Sequence, residues 1–171
     1  MRHWVLAAAA FVAAVALGAG TARAGKVEVK GAHLCCPKCV KAATATLSKV
    51  DGVADAAAAA GGSITFTTKD DKATAAALAA LSDAGFFGTA TDDGKDVKVE
   101  VSTPKKGEKA DDLVIATHVC CPKCQGALKG ALPGTTVSFP EAGKVEVKGK
   151  DLDKADVIEA LRKAGFNGKI E

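Results

Sequence analysis

Two short stretches of the chain are nearly identical: His33–Cys39 has the sequence HLCCPKC, and His118–Cys124 has the sequence HVCCPKC. A second matched pair follows, with LSDAGF at Leu81–Phe86 and LRKAGF at Leu161–Phe166. The first pair is offset by 85 residues and the second by 80. Because only two copies are present, this repeat favours two domains in tandem rather than a solenoid.

Each copy of the repeat has the pattern strand, helix, strand, strand, helix, strand. In Lys26–Lys30 charged residues alternate with Val, which indicates a half-buried strand. Pro37 suits the first turn of a helix, because a backbone N–H at that position has no hydrogen-bond partner within the helix and proline lacks this group. The strand Val53–Ala59 is the least supported element, because its alanines favour a helix. Gly85 and Gly165 are predicted to follow the ends of the second helices.

The remaining predictions complete this pattern. In the first copy we expect strands at Ser63–Thr68, Phe86–Thr91 and, at an edge, Val97–Val101. In the second copy we expect strands at Leu113–Thr117, Thr135–Phe139 and Lys144–Lys148, and a helix at Lys123–Ala131. The second helices are expected to be capped by Asp70 or Asp71 and by Asp151 or Asp153.

Residues 1–24 have the features of a secretory signal peptide. Arg2 and His3 form a basic start, Trp4–Leu17 is apolar, and Ala22–Ala24 has the small residues of a cleavage site. The apolar run is shorter than the roughly 20 residues that span a bilayer. The sequence therefore predicts export to the periplasm or out of the cell, in a bacterium, with no membrane span in the mature chain.

The charge of the chain argues against nucleic acid as a partner. The full chain has 23 basic and 20 acidic residues, and removal of Arg2 and Arg23 with the signal peptide leaves a net charge of about +1. It has no basic patch with interleaved aromatic residues, so nucleic-acid binding is not expected. Beyond residue 24 the sequence contains no Met, Trp or Tyr, which excludes a thioether copper site.

These features divide the chain into four parts. They are a signal peptide at 1–24, a first domain at 25–102, a linker at 103–111 and a second domain at 112–171. The linker is assigned from its content of Lys, Gly and charged residues.

All six cysteines of the chain lie in the two repeated loops, and His33 and His118 precede them. Each loop has a CxxC pair at the expected start of a helix, whose free N–H groups stabilise thiolates. These pairs are Cys36 with Cys39 and Cys121 with Cys124. Two thiolates suit a soft ion such as Cu(I), Zn(II) or Hg(II). They suit capture and transfer better than permanent structure, since a structural zinc site normally has four ligands.

The two copies resemble the heavy-metal-associated domains of copper chaperones, metal-transporting ATPases and periplasmic mercury-binding proteins. The resemblance rests on the CxxC between a strand and a helix, and on the pairs Gly85-Phe86 and Gly165-Phe166. It implies an α+β fold of two ferredoxin-like βαββαβ sandwich domains. It also implies metal ligation by the CxxC cysteines, one ion per domain, no catalysis, and a metal transporter or another metal-binding protein as partner.

The loops differ from the family pattern Gly-Met-Thr-Cys-x-x-Cys in the three residues before the CxxC. These are His33, Leu34 and Cys35 in the first copy and His118, Val119 and Cys120 in the second. Cys35 and Cys120 could complete three-thiolate sites or could be small buried apolar residues. His33 and His118 could complete Cys/His sites closer to zinc chemistry, or could only order the loop.

The CPKC motifs leave two other interpretations open. Exported CxxC cysteines oxidise easily, so an inert disulfide is one alternative. A thiol-disulfide redox protein is the other, because CPKC before a helix is similar to thioredoxin-like motifs. That fold needs a cis-Pro facing the cysteines, and the first copy has only Pro37 in the motif and Pro104 in the linker.

Overall fold

The computed structural model describes residues 25–171, which form two antiparallel sheets and four helices. The predicted signal peptide, 1–24, lies outside the described residues. Within 25–171, none of the helices has the length and apolar character needed to cross a bilayer. The α+β class predicted from the sequence is confirmed.

The two halves of the described chain share the succession strand, helix, strand, strand, helix, strand, and the first half has one further strand after it. The first half contains β1 (Gly25–Lys30), α1 (Pro37–Leu47), β2 (Val53–Ala59), β3 (Ser63–Thr68), α2 (Asp71–Asp83), β4 (Thr89–Asp92) and β5 (Lys95–Val97). The second half contains β6 (Lys109–Thr117), α3 (Pro122–Ala131), β7 (Thr136–Ser138), β8 (Lys144–Asp153), α4 (Lys154–Lys163) and β9 (Gly168–Ile170). The sheet orders are β2-β3-β1-β4-β5 and β7-β8-β6-β9.

Alternating apolar residues give each sheet one buried face. Val27 and Val29 of β1 are buried, as are Ile115 of β6 and Val145 and Val147 of β8. The helices cover these faces, and the buried side chains of both halves form one continuous core. Because the core is continuous, the position of each loop relative to the other is set by packing.

The strand predicted at Val53–Ala59 is confirmed despite its alanines. It pairs with β3, and its register shifts between Ala54 and Ala57, where Asp55 has a positive φ of 51°. Pairing with a neighbouring strand therefore outweighs the helix propensity of alanine.

Two strands of the first half differ from the prediction. β4 begins at Thr89 rather than Phe86, because Phe86 pairs instead with Phe166 of the second half. β5 is Lys95–Val97 rather than Val97–Val101. Asp93 and Gly94 both have positive φ and make a two-residue turn that starts β5 at once.

In the second half, β6 and β8 are longer than predicted. Lys109 and Ala110 pair with Asp153 and Leu152, so the two strands continue beyond a register shift. β7 is shorter, with ends at Thr136 and Ser138.

The second helix of each half begins and ends as the sequence predicts. Asp70 and Asp153 are the N-caps, since their carboxylates accept backbone N–H groups of the first turn. Both helices end at a glycine with φ near +85°, in matching Schellman motifs. The two pairs of closing bonds are Gly85 N–H to Ser82 O with Phe86 N–H to Leu81 O, and Gly165 N–H to Arg162 O with Phe166 N–H to Leu161 O.

Candidate metal centre

The two CCPKC loops have the same local geometry. Cys36 and Cys121 are the N-cap residues of α1 and α3, with φ/ψ of −157°/166° and −160°/166°. A proline at the first helical position follows each of them. Cys39 and Cys124 therefore lie at the third position of the first turn. Both members of each CxxC pair thus lie at the positive end of a helix dipole.

The Schellman glycines join the two halves next to these loops. The Gly165 carbonyl accepts hydrogen bonds from the backbone N–H of His33 at 2.9 Å and of Phe87 at 3.1 Å. The Gly85 carbonyl accepts one from the N–H of Asn167 at 3.0 Å. These bonds hold the end of each second helix against the other half.

The two histidines pack across the same interface. The His33 ring stacks on Phe166 with centroids 4.3 Å apart, and the His118 ring lies 4.6 Å from Phe86. Both phenylalanines are buried. Each also contacts the histidine of the opposite loop, which the sequence did not predict.

As a result, the six cysteines meet in one cluster. The Sγ–Sγ distances between loops are 3.4 Å for Cys35–Cys121, 3.5 Å for Cys35–Cys124, 3.5 Å for Cys36–Cys120, 3.3 Å for Cys39–Cys120 and 3.9 Å for Cys39–Cys124. Within the loops they are 3.7 Å for Cys35–Cys39, 3.6 Å for Cys36–Cys39, 3.8 Å for Cys120–Cys124 and 3.7 Å for Cys121–Cys124. All six are free thiols.

The expectation of one separate site per domain is therefore wrong. The cysteine-rich site is a single centre shared between the two halves. The reason lies in the interface, where the glycine carbonyls and the His–Phe ring contacts bring the loops together. Sulfurs of one loop therefore lie as close to those of the other loop as to those of their own.

Burial and hydrogen bonding affect the six thiols differently. Cys39 and Cys124 are fully buried, and the other four are partly exposed. Burial raises the pKa of Cys35 and of Cys120, which favours the neutral thiol. The backbone N–H of Cys124 lowers the pKa of Cys121 to about 6. The cluster therefore combines protonated thiols with a thiolate at the start of a helix.

Both histidines offer a ring nitrogen to the cluster. The Nε2 atoms of His33 and His118 are buried and have no hydrogen-bond partner among the described residues. Burial lowers the pKa of both rings, which favours the neutral imidazole that binds metals. Donor atoms of Cys39, His118, Cys120 and Cys124 lie within 4.8 Å of one another, and so do those of His33, Cys35 and Cys124.

These observations are compatible with a bound metal ion. A buried nitrogen without a hydrogen-bond partner is costly. The six cysteines together with His118 could bind a metal ion.

No protein-family model, curated protein or solved structure matches the chain. The chemistry of the donor atoms is therefore the basis for assigning a role to the cluster.

Two residues at the interface were missed by the sequence analysis. Asn167 donates through Nδ2 to the Ser82 carbonyl at 3.1 Å and accepts from Arg162 Nε at 2.9 Å. The Arg162 guanidinium lies 5.3 Å from the centre of the Phe87 ring. The only signal in the sequence was that Asn167 takes the position equivalent to Phe87 of the first copy.

Proposed function

We propose that the protein binds soft metal ions through the thiolates of its two CCPKC loops, for sequestration or transfer and without catalysis. The observation that carries this proposal is the cluster of six sulfurs, contributed equally by the two loops, with neighbours 3.3–3.9 Å apart. Sulfurs of different halves lie this close only because the halves are packed together.

The spacing of the sulfurs supports the proposal. Four sulfurs at about 2.3 Å from a zinc ion in a tetrahedron lie about 3.8 Å from one another. The cross-loop distances of 3.3–3.9 Å differ from this by about half an ångström or less. The donors are therefore arranged before the ion binds, which favours tight binding.

The type of donor selects the class of ion. Thiolates with neutral imidazoles favour Cu(I), Zn(II) and Hg(II), whereas Mg²⁺ and Ca²⁺ prefer oxygen. The candidate groups found among residues 25–171 contain only Cys and His. The proposed ligands are Cys36, Cys39, Cys121 and Cys124, with Cys35, Cys120, His33 and His118 as additional ligands.

The strand order supports a ferredoxin-like arrangement and, with the loops, membership of the heavy-metal-associated class. In both halves the first strand lies between the third and the fourth, and the second is next to the third. We propose that the protein works after export and exchanges its ion with a transporter or another metal-binding protein. The four partly exposed cysteines, Cys35, Cys36, Cys120 and Cys121, would be reached by an incoming ligand before the buried Cys39 and Cys124.

Native mass spectrometry of the reduced chain tests this function with Cu(I), Zn(II) and Hg(II) in turn. We expect metal-bound species for the wild-type chain and weaker binding by Cys39→Ser/Cys124→Ser, because the substitution removes both buried sulfurs and leaves four cysteines. Lys38→Gln/Lys123→Gln is the matched control, since these lysines lie in the same loops and are exposed. It should bind metal as the wild type does.

Failure of the wild-type chain to bind any of the three ions would exclude the proposal. The redox alternative makes a different prediction for the same protein, because it requires reversible disulfide exchange. Catalysed reduction of insulin by the metal-free chain, together with absence of metal binding, would favour that alternative.

A further inference from the structure

Six sulfurs are more than one tetrahedral ion needs, and the shorter distances favour two sets of three. Sulfurs of the same set lie 3.3–3.7 Å apart, and the contacts between the sets are 3.7–3.9 Å. In the first set, Cys36–Cys39 is 3.6 Å, Cys36–Cys120 is 3.5 Å and Cys39–Cys120 is 3.3 Å. In the second set, Cys121–Cys124 is 3.7 Å, Cys35–Cys121 is 3.4 Å and Cys35–Cys124 is 3.5 Å. Each set is a nearly equilateral triangle, and together they use every sulfur once.

Both triangles combine the two halves in the same way. Each contains the CxxC pair of one loop and the additional cysteine of the other loop. Cys120 thus completes the pair Cys36/Cys39, and Cys35 completes the pair Cys121/Cys124. The matching distances agree within about 0.2 Å, as expected for two halves related by an approximate twofold axis.

We propose that the shared centre holds two soft metal ions, each bound by the CxxC pair of one loop and by the additional cysteine of the other. This inference rests on the proposed function and adds two points to it: the number of ions, and the contribution of ligands to each ion by both halves. Each ion displaces thiol protons, which pass to solvent. Three sulfurs in a plane at about 2.3 Å from an ion lie about 4.0 Å apart, so the edges of each triangle, now 3.3–3.7 Å, lengthen by about 0.3–0.7 Å.

Each histidine lies near the triangle that contains the additional cysteine of its own loop. A ring nitrogen of His118 lies within 4.8 Å of the sulfurs of Cys39 and Cys120 of the first triangle, and also of Cys124 of the second. A ring nitrogen of His33 lies within 4.8 Å of Cys35 and Cys124, both of the second triangle. Each imidazole accompanies the additional cysteine of its own loop and offers a fourth donor to an ion that prefers four, such as Zn(II) or Cd(II).

A single ion bound by Cys39, Cys120, Cys124 and His118 is the competing arrangement. It would leave Cys35, Cys36 and Cys121 without a role, although these three sulfurs also lie within 4.8 Å of one another. It would also leave the buried Nε2 of His33 without a partner. The two-ion arrangement gives every sulfur a role and brings both rings within reach of an ion.

Cd(II) is a suitable probe, because it is soft and its charge-transfer absorption with thiolates reports binding directly. Native mass spectrometry of the reduced chain should show two Cd(II) ions. One ion would overturn the inference and leave the proposed function intact, and none would count against both.

Two triple variants then test whether each ion is bound by cysteines of both loops. Cys35→Ser/Cys121→Ser/Cys124→Ser retains Cys36, Cys39 and Cys120, the crossed set. Cys120→Ser/Cys121→Ser/Cys124→Ser retains Cys35, Cys36 and Cys39, the set of one loop. The variants share two substitutions and differ only in which of two equivalent cysteines is replaced, so a general loss of stability affects them alike.

We expect the crossed variant to bind one Cd(II) at least about tenfold more tightly than the single-loop variant, in competition with a chelator. Equal affinities, or tighter binding by the single-loop variant, would overturn the inference. Circular dichroism of both apo variants checks that they fold. If either is unfolded, Cys35→Ser and Cys120→Ser are compared singly by cadmium NMR. Cys35→Ser should then perturb the ion bound by Cys121 and Cys124, and perturbation of the ion at Cys36 and Cys39 would contradict the inference.

Discussion

Gly165→Ala is expected to lower the affinity of the chain for a soft metal ion by about tenfold to a hundredfold. A Cβ atom at this position would lie 2.6 Å from the backbone nitrogen of His33 and would also clash with the Gly31 carbonyl. The two halves would have to separate there, which moves the cysteine loops apart. Overpacking of this kind costs about 1–3 kcal/mol, and each 1.4 kcal/mol is a tenfold change in affinity.

Gly134→Ala provides the matched control. Gly134 also has a positive φ, of 78°, and lies in the same half, but no atom lies within 4 Å of the added Cβ. The control therefore has the same backbone strain, roughly 1–2 kcal/mol, without the clash. A competition titration with Cd(II) compares the two variants. Equal affinities would show that the interface does not position the ligands.

Metal loading is expected to slow hydrogen exchange at the interface between the halves by roughly a thousandfold. A ligand at 1,000 times its dissociation constant stabilises the state that binds it by about 4 kcal/mol. Because the ligands come from both halves, this energy opposes their separation. The amides of His33, Phe87 and Asn167, which donate across the interface, report it directly. The midpoint of thermal unfolding should rise by about 10 °C.

The amides of the hairpin between β4 and β5 serve as the internal reference. This hairpin forms the edge of the first sheet. Local opening of this hairpin does not separate the halves. Hydrogen exchange of its amides through local opening should therefore change little when metal binds. If the interface amides exchanged at the same rate with and without metal, ligation within single loops would explain the data better than a shared centre.

The sequence was sufficient for the elements that carry the site. Pro37 predicted the start of α1, and the helix predicted at Lys123–Ala131 differs from α3 by one residue at its start. Gly85 and Gly165 predicted the ends of α2 and α4. These signals act within a few residues, through backbone geometry that proline and glycine alone favour. The eight candidate ligands were also found, because all Cys and His residues beyond 1–24 lie in two repeated loops.

The relation between the halves was not predictable in the same way. A repeat in the sequence is compatible with two separate sites or with one shared site. Short-range sequence signals do not indicate which face of each copy packs against the other copy. The decisive contacts join residues far apart in the chain, such as His33 with Gly165 and Phe86 with His118. Tertiary pairing also moved the start of β4 away from Phe86, because this residue pairs with Phe166.

The most direct test of the shared centre is a proton–cadmium correlation spectrum of the reduced chain loaded with isotopically enriched Cd(II). The experiment links each bound ion to the β-protons of the cysteines that ligate it. We predict two cadmium resonances, one correlated with Cys36, Cys39 and Cys120, and the other with Cys121, Cys124 and Cys35. A resonance correlated only with cysteines of a single loop would contradict a centre shared between the two halves.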